Sequence, residues 1–157
     1  MITRADYLHF VDLALDGMVS IVEGLGDDLA NISSGVPGTP TPYALLTHCL
    51  GVVDAWAGGF VAGRPIDRDR PSEFIATGRV DDLVQRTALV RGRLHADVRG
   101  CDPAAPLLIE PPAEWVDGGP EFSSQGAALL HVYEELAQHH GQMEIIRDVI
   151  RLNASSN

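Results

Sequence analysis

The sequence contains no lysine, and its 11 arginines are outnumbered by 22 acidic residues, which gives a formal net charge of −11. A surface with this excess of negative charge repels phosphate groups, so the composition disfavours binding to nucleic acid or to an anionic membrane. Cysteine is also scarce, because Cys49 and Cys101 are the only two and form no C-x-x-C motif. Such usage argues against a disulfide framework and is typical of a reducing cytoplasm, where we expect the protein.

Long uncharged hydrophobic runs are missing as well. Asp6, Asp12 and Asp16 interrupt the N-terminal stretch, so no signal peptide is expected there. Asp54 interrupts the most apolar internal stretch, so no membrane span is expected either. With 45% hydrophobic and 21% charged residues over 157 positions, we expect one globular domain over 1–157. A chain of this size buries enough apolar surface to fold without a structural metal, so any bound metal is expected to serve function.

Apolar residues recur at spacings of three and four along four segments, which is the period of an amphipathic helix. The first predicted helix begins after Thr3, a candidate N-cap with Asp6 three residues on, and extends to about Leu29. The second has Thr41 as its cap and proline at the first helical position, and Gly63 ends it.

The third predicted helix covers about Thr77–Arg99, and the fourth begins after Ser123 or Ser124 and extends to about Leu152. The segment Gly100–Phe122 between them is rich in proline and cannot be one regular element. A connection of this length is uncommon unless it serves as a lid or a binding loop. The pattern predicts an all-α fold, a four-helix bundle with a long Pro-rich connection before the last helix.

Three polar residues, His48, Glu135 and His139, occupy positions on the second and fourth helices where the pattern calls for apolar side chains. Because an isolated buried carboxylate is strongly unfavourable, Glu135 must be neutral, meet a positive partner or bind a cation. Glu135 and His139 project from one helix face a turn apart, and His48 can complete the set from the facing helix. Imidazole and carboxylate together suit a borderline divalent ion.

The spacing alone leaves a second interpretation open, in which the histidines are satisfied core residues and Glu135 pairs with an arginine. A di-iron carboxylate centre is not expected, because no glutamate is followed three residues later by histidine. Two neighbouring residues, His140 and Cys49, need no functional interpretation. His140 points about 100° away from His139 around the helix, and Cys49 is turned away from His48, so neither is expected to be a ligand.

Two strings carry a family resemblance: TPYALLTH over residues 41–48 and HVYEELAQHHGQ over residues 131–142, with Trp56 between them. They resemble motifs of the DinB-like superfamily. More narrowly, the chain is similar to the actinobacterial branch that includes mycothiol-dependent maleylpyruvate isomerase, and the resemblance covers nearly its whole length.

The resemblance implies one divalent metal ion held by His48, Glu135 and His139. Zinc is the first expectation, with nickel or another divalent ion as alternatives, because the same donors suit several metals. The resemblance also implies a low-molecular-weight thiol of the mycothiol type as cosubstrate, an electrophilic small molecule as the second substrate, and a homodimer. The expected function is a thiol S-transferase or isomerase in which a metal-bound thiolate attacks the electrophile.

Two other functions stay open at this point: a non-catalytic stress protein that binds metal or a small ligand, and a hydrolase that uses metal-bound hydroxide. His131, one turn before Glu135, is the one candidate acid or base, placed either to support that carboxylate or on the helix surface. Gln142, one turn after His139, either orients the His139 ring or serves helix packing. Trp115 on the Pro-rich connection either covers a pocket or anchors the loop.

Four arginines follow the second helix, which is unusual in a chain this acidic: Arg64, Arg68, Arg70 and Arg79. Arg64 and Arg68 are the candidates to bind a carboxylate-bearing substrate or cosubstrate. In the alternative interpretation, Arg68 and Arg70 pair with Asp67 and Asp69 on a solvated loop.

Overall fold

The computed structural model describes residues 2–115 and 124–156, and within them every regular element is helical. The elements are α1 (Arg4–Ala30), α2 (Pro42–Val53), a π-helical continuation of α2 (Asp54–Val61), the short α3 (Arg70–Glu73), α4 (Val80–Gly100), a 3-10 turn (Ala113–Trp115) and α5 (Gln125–Ser155). The fold is therefore all-α, and the four long helices form the predicted bundle.

Three predicted caps are confirmed. Thr3 forms a capping box with Asp6, in which the Asp6 amide donates to the threonine hydroxyl at 3.1 Å and the Thr3 amide donates to the carboxylate at 2.9 Å. The Thr41 hydroxyl accepts from the Ala44 amide, and the Ser124 hydroxyl accepts from the Ala127 amide. The alternative cap Ser123 and the predicted connection beyond Trp115 lie outside the described residues.

The predicted start of the third helix at Thr77 is wrong by three residues, because α4 begins at Val80. Contacts from α1 set this start. The Val80 amide donates to the Asp27 carboxylate at 2.7 Å, and the Asn31 side chain bonds both the amide and the carbonyl of Gly78. The first turn of α4 is thus capped by a residue of α1 and not by its own N-cap residue. The periodicity of the sequence does not predict such a contact.

The core lies between all four long helices. Helix α1 packs against α4 and α5, and α2 packs against α5, α4 and α1. Almost every residue of α2 is buried, so this helix runs through the centre of the bundle. The stretch Pro42–Val61 is long and apolar enough to span a membrane by length and composition, but it is almost wholly buried inside the fold.

The second helix ends in a wider turn that the sequence pattern does not predict. Over Asp54–Val61 the backbone is π-helical, and the Ala62 amide donates to the Ala57 carbonyl, five residues back, at 3.0 Å. Gly63 follows with φ of +72°, which confirms the predicted end of the helix. Such π-helical turns occur frequently at functional sites, and this one carries Trp56 toward the cavity described below.

The described part of the Pro-rich connection is fastened to the bundle by its backbone. The Leu108 amide donates to the Phe60 carbonyl at 2.8 Å, and the Gln125 amide donates to the Ala105 carbonyl at 2.9 Å. The connection therefore runs across the π-helical turn and brings Trp115 beside Phe60, with ring centroids 6.0 Å apart.

Candidate functional site

His48, Glu135 and His139 come together between α2 and α5, as the sequence predicts. One ligand atom from each lies within 4.8 Å of the other two. Glu135 Oε2 is 3.3 Å from His48 Nε2 and 3.4 Å from His139 Nε2. The two imidazole rings meet edge to face, with centroids 5.2 Å apart.

Helix geometry explains this convergence. Glu135 and His139 are four residues apart on α5, so their side chains lie on one face a turn apart. His48 lies in the middle of α2, which packs against that face, and only 2% of His48 is exposed. The His48 ring is therefore removed from water, and both of its nitrogens need hydrogen-bond or metal partners within the protein.

Glu73 holds His48 in one orientation. The His48 Nδ1 atom donates to Glu73 Oε2 at 2.8 Å, because an ionised carboxylate can only accept. With Nδ1 engaged by Glu73, Nε2 is the ring atom that faces Glu135 and His139. Phe74 stacks on the other side of the ring, with centroids 4.4 Å apart.

Glu73 is itself held by Arg68 and by a gap in α2. Arg68 donates from Nε to Glu73 Oε1 at 2.7 Å and from Nη2 to Oε2 at 2.8 Å, a bidentate pair between two buried side chains. Gly51, one turn after His48, provides the space. A Cβ atom at Gly51 would lie 2.0 Å from Glu73 Oε1, so the carboxylate occupies the volume that a side chain would fill.

Gln142 plays the corresponding part for His139. His139 Nδ1 lies 2.9 Å from Gln142 Oε1, so the ring donates to the amide oxygen and turns Nε2 toward Glu135. Of the two roles left open for Gln142, this contact matches the ring-orienting one. Both histidines thus have Nδ1 engaged in a hydrogen bond and Nε2 directed to the same small space.

The contacts of the three residues shift the pKa values of the ionisable groups. Hydrogen bonds with His139 and His48 hold the pKa of Glu135 well below its usual range, so it is a carboxylate. The hydrogen bond with Glu135 raises the pKa of His139 above its ordinary value, against the opposing effect of burial. Burial works to raise the pKa of Glu73, but hydrogen bonds from His48 and Arg68 outweigh it and lower that pKa.

A cavity of about 230 Å³ opens on this cluster. Its walls are His48 and Glu135 from the cluster together with Val52, Trp56, Arg68, Arg70, Trp115 and His131. Trp115 lies over the Arg68 guanidinium, with 5.2 Å from the carbon of that group to the ring centroid. Trp115 thus both lines the cavity and fixes the connection to it.

His131 lies in the wall of this cavity rather than on the outer surface. Its ring meets Trp56 edge to face with centroids 4.4 Å apart, and its Nδ1 atom is 3.2 Å from Glu134 Oε2. Its position one turn before Glu135 also brings its charge close enough to lower the pKa of that carboxyl.

Two neighbouring residues lie away from the cavity, as expected. His140 packs over Gly17 of α1, where an added Cβ atom would come 2.1 Å from His140 Nε2. Cys49 is fully buried in the core, and burial raises the pKa of its thiol.

The candidate arginines separate into different surroundings. Arg68 lines the cavity, but its partner is Glu73 rather than the neighbouring Asp67 or Asp69. Arg64 pairs with Asp97 and approaches Asp54 at 3.7 Å, in a separate cavity of about 720 Å³ that does not include the histidines.

The remaining two arginines of the segment also differ from each other. Arg70 reaches the cavity with its guanidinium over the Phe74 ring at 5.4 Å. Arg79 is exposed and pairs with Asp81 at 3.2 Å.

Sequence reasoning missed Glu73, Phe74 and Gly51. Glu73 and Phe74 lie in or beside α3, a helix of four residues that is too short to show a period. One signal was available: Gly51 follows His48 by one turn on a helix that is otherwise apolar. A glycine at that spacing indicates that another group approaches the helix beside the histidine.

The three ligand atoms match the needs of a metal ion. Tetrahedral ligands at bond lengths of about 2.0–2.2 Å lie about 3.4 Å from one another, which is the spacing between Glu135 Oε2 and each Nε2 atom. Two histidines with Nδ1 held by a carboxylate and an amide have the usual outer support of metal ligands. Three protein donors leave a further coordination position for a small molecule.

Comparison with known proteins agrees with this arrangement. A family model described as mycothiol-S-transferase matches residues 6–151, which include His48, Glu135, His139 and the whole cavity wall. No curated protein matches the chain. The match covers far more than half of the sequence, and the bundle is the fold expected of a DinB-like protein. The chain therefore belongs to the mycothiol-S-transferase family, a DinB-like family.

Proposed function

We propose that the protein is a metal-dependent thiol S-transferase, which joins a low-molecular-weight thiol of the mycothiol type to an electrophilic small molecule. His48, Glu135 and His139 hold one divalent ion, with zinc as the first candidate. The family supports a thiol as cosubstrate and transfer to sulfur as the reaction class. The cavity beside the three residues supports a small second substrate.

One observation carries the metal proposal. Glu73 engages Nδ1 of His48 and Gln142 engages Nδ1 of His139, so both Nε2 atoms face the Glu135 carboxylate, at 3.3 and 3.4 Å. Two acceptors at this distance are unfavourable unless a proton or a cation lies between them. One cation shared by all three atoms meets both contacts at once, whereas protons would be needed on both rings, so a cation is the better match.

The chain's own residues then have distinct roles. Glu73 and Gln142 fix the two rings, and Glu135 contributes the negative charge. The bound ion supplies positive charge that lowers the pKa of a thiol and favours its nucleophilic form near neutral pH. His131 in the cavity wall is the group that we propose receives the thiol proton. Trp56 and Trp115 provide the apolar surface that excludes water from the reacting pair.

Elemental analysis of the purified protein, with His48→Ala, Glu135→Ala and His139→Ala, tests the proposal. We expect about one ion per chain in the natural protein, loss of that ion in each variant, and thiol-dependent turnover of an alkylating electrophile that falls to background with the metal. Matched controls are Glu144→Ala, on the same helix as Glu135 but exposed, and His95→Ala, which lies on α4 and pairs with Asp12 of α1. Both should keep metal and turnover.

The outcomes separate the alternatives. A His48→Ala protein that is folded and retains full turnover would contradict the proposal. Metal binding without turnover of any electrophile would favour a non-catalytic binding protein. Product formed at the same rate with no thiol added would favour a metal-dependent hydrolase.

A further inference from the structure

We infer that Arg70 gives the cavity a preference for electrophiles that carry a carboxylate or a similar anionic group. This inference rests on the proposed function, because it assigns a substrate class to the same cavity. The sequence suggests Arg64 and Arg68 for binding an anion. Both are paired with carboxylates in the structure, whereas Arg70 is not, so we assign the role to Arg70.

The surroundings of the four arginines identify Arg70. Arg68 is bound in bidentate fashion by Glu73, and Arg64 is held by Asp97. Arg79 pairs with Asp81. Among the side chains that the structure describes, no carboxylate pairs with Arg70, and its guanidinium rests on the Phe74 ring. In a chain with twice as many acidic as basic residues, an arginine without an acidic partner at a cavity wall requires an explanation.

Stacking places this charge close to the reacting centre. The Arg70 guanidinium lies 5.4 Å from the centroid of Phe74, and the Phe74 ring stacks on His48 at 4.4 Å. Arg70 and two of the candidate ligands, His48 and Glu135, line the same cavity. Contact with an aromatic face leaves the donors at the edge of the guanidinium available to a ligand.

Local charge favours an anion although the protein as a whole repels one. Among the described residues that line the cavity, Glu135 is the carboxylate and Arg68 and Arg70 are the guanidiniums, and Glu73 behind the wall offsets Arg68. A divalent ion on the ligand set would leave a net positive charge there. A cationic cavity on an acidic protein selects anions at short range.

The anionic group belongs to the electrophile rather than to the thiol. In the proposed reaction the ion recognises the thiol through its sulfur, so the thiol needs no second charged contact. The electrophile has no such contact with the ion, and Arg70 in the cavity wall binds its anionic group instead. A carboxylate on Arg70 would fix the position of the electrophilic carbon relative to sulfur.

Binding tests the inference without any turnover. Succinate and succinamide have the same skeleton and differ in charge. Both tryptophans of the chain, Trp56 and Trp115, line the cavity, so intrinsic fluorescence reports on occupancy, and calorimetry gives an independent affinity. With protein of measured metal content, we expect Arg70→Gln to weaken succinate binding about tenfold or more and to leave succinamide unchanged. Arg79→Gln, on the same segment but paired outside the cavity, should bind both as the natural protein does.

Turnover provides a second measurement. With iodoacetate or iodoacetamide, the thiol sulfur forms a bond to the methylene carbon, the carbon–iodine bond breaks, iodide leaves, and the thiol proton passes to His131 and from there to solvent. We expect the ratio of kcat/KM for iodoacetate over iodoacetamide to fall about tenfold in Arg70→Gln, while KM for the thiol is unchanged. Using the ratio cancels the different intrinsic reactivity of the two reagents. Both cysteines of the chain are buried, which limits their own alkylation.

Three results would overturn the inference: succinate binding no tighter than succinamide in the natural protein, equal succinate affinity in Arg70→Gln, or the same loss in Arg79→Gln. Failure of the proposed function has a different signature. Absence of metal, or of thiol-dependent turnover, would be seen in every variant alike, and the succinate comparison would still decide the role of Arg70.

Discussion

Glu73 controls the chemistry of His48 more than any residue outside the candidate ligand set. It engages Nδ1 and thereby directs Nε2 toward Glu135 and His139. Its own charge is maintained by Arg68, so three side chains from two segments form a continuous chain of charge-assisted hydrogen bonds. A carboxylate behind a ligating imidazole also makes the ring a stronger donor.

We therefore expect Glu73→Gln to weaken metal binding by about 10–100-fold, the usual range for loss of an outer partner of a ligand. Glutamine preserves the shape but removes the negative charge, and it leaves the buried Arg68 without its ion pair. Competition with a chelating dye measures the affinity. Glu134→Gln is the control, because Glu134 adjoins a ligand in sequence but is exposed. An unchanged metal affinity in a folded Glu73→Gln protein would contradict the role given to Glu73 in supporting His48.

The sequence predicted that His48, Glu135 and His139 lie close together because all three are on long helices, where a period of 3.6 fixes which side chains share a face. It did not predict Glu73, which lies on a segment between Gly63 and Val80 with four helical residues. Contacts made by such a segment depend on tertiary packing, and no periodic pattern encodes them.

The second helix combines two demands that conflict. Almost all of its residues are buried, so it needs apolar side chains around its whole circumference, yet one turn must admit a carboxylate to reach His48. Gly51 resolves the conflict by leaving space for Glu73 Oε1. A glycine within a helix costs about 0.5–1 kcal/mol relative to alanine, which is the stability given up for that contact.

Gly51→Ala separates helix stability from site geometry. Its Cβ atom would meet Glu73 Oε1 at 2.0 Å, so the carboxylate must withdraw from His48, and we expect metal affinity to fall about tenfold or more. Gly92→Ala is the matched control, since Gly92 lies within α4 and an added Cβ atom there meets nothing within 4 Å. It should raise the free energy of unfolding by about 0.5–1 kcal/mol and leave metal affinity unchanged. Chelator competition and denaturant unfolding measure the two quantities, and equal metal affinity in both variants would contradict the role given to Gly51.

Helix ends were predictable where the caps are local and not where they are tertiary. Thr3, Thr41 and Ser124 cap their own helices, and the sequence identified the first two outright and the third as one of two adjacent serines. The start of α4 depends on Asp27 from α1, so local sequence placed it too early. The π-helical turn was also missed, because a helix that is buried all round shows no change of period where its winding changes.

The candidate ligands connect parts of the chain that are far apart in sequence. His48 lies on α2, whereas Glu135 and His139 lie on the last helix, and these two helices contact each other along the core. An ion on all three would bind the folded protein and not the unfolded chain, whose ligands are dispersed. Metal binding would therefore be coupled to the stability of the whole bundle, although the core of this chain is large enough to fold by itself.

Removal of the ion should lower the melting temperature without unfolding the protein. At a free ion concentration of about 100 times Kd, binding adds about 2.7 kcal/mol to the free energy of unfolding. For a domain of this length, that corresponds to about 5–10 °C in Tm. Calorimetry with zinc and then with excess chelator should show this shift in the natural protein and in His95→Ala, whose site is intact. His48→Ala should melt at one temperature under both conditions, because it lacks the buried ligand from α2. A zinc-dependent shift that persists in His48→Ala would mean that the stabilising ion binds elsewhere, since no ion can then be shared between α2 and α5 through this histidine.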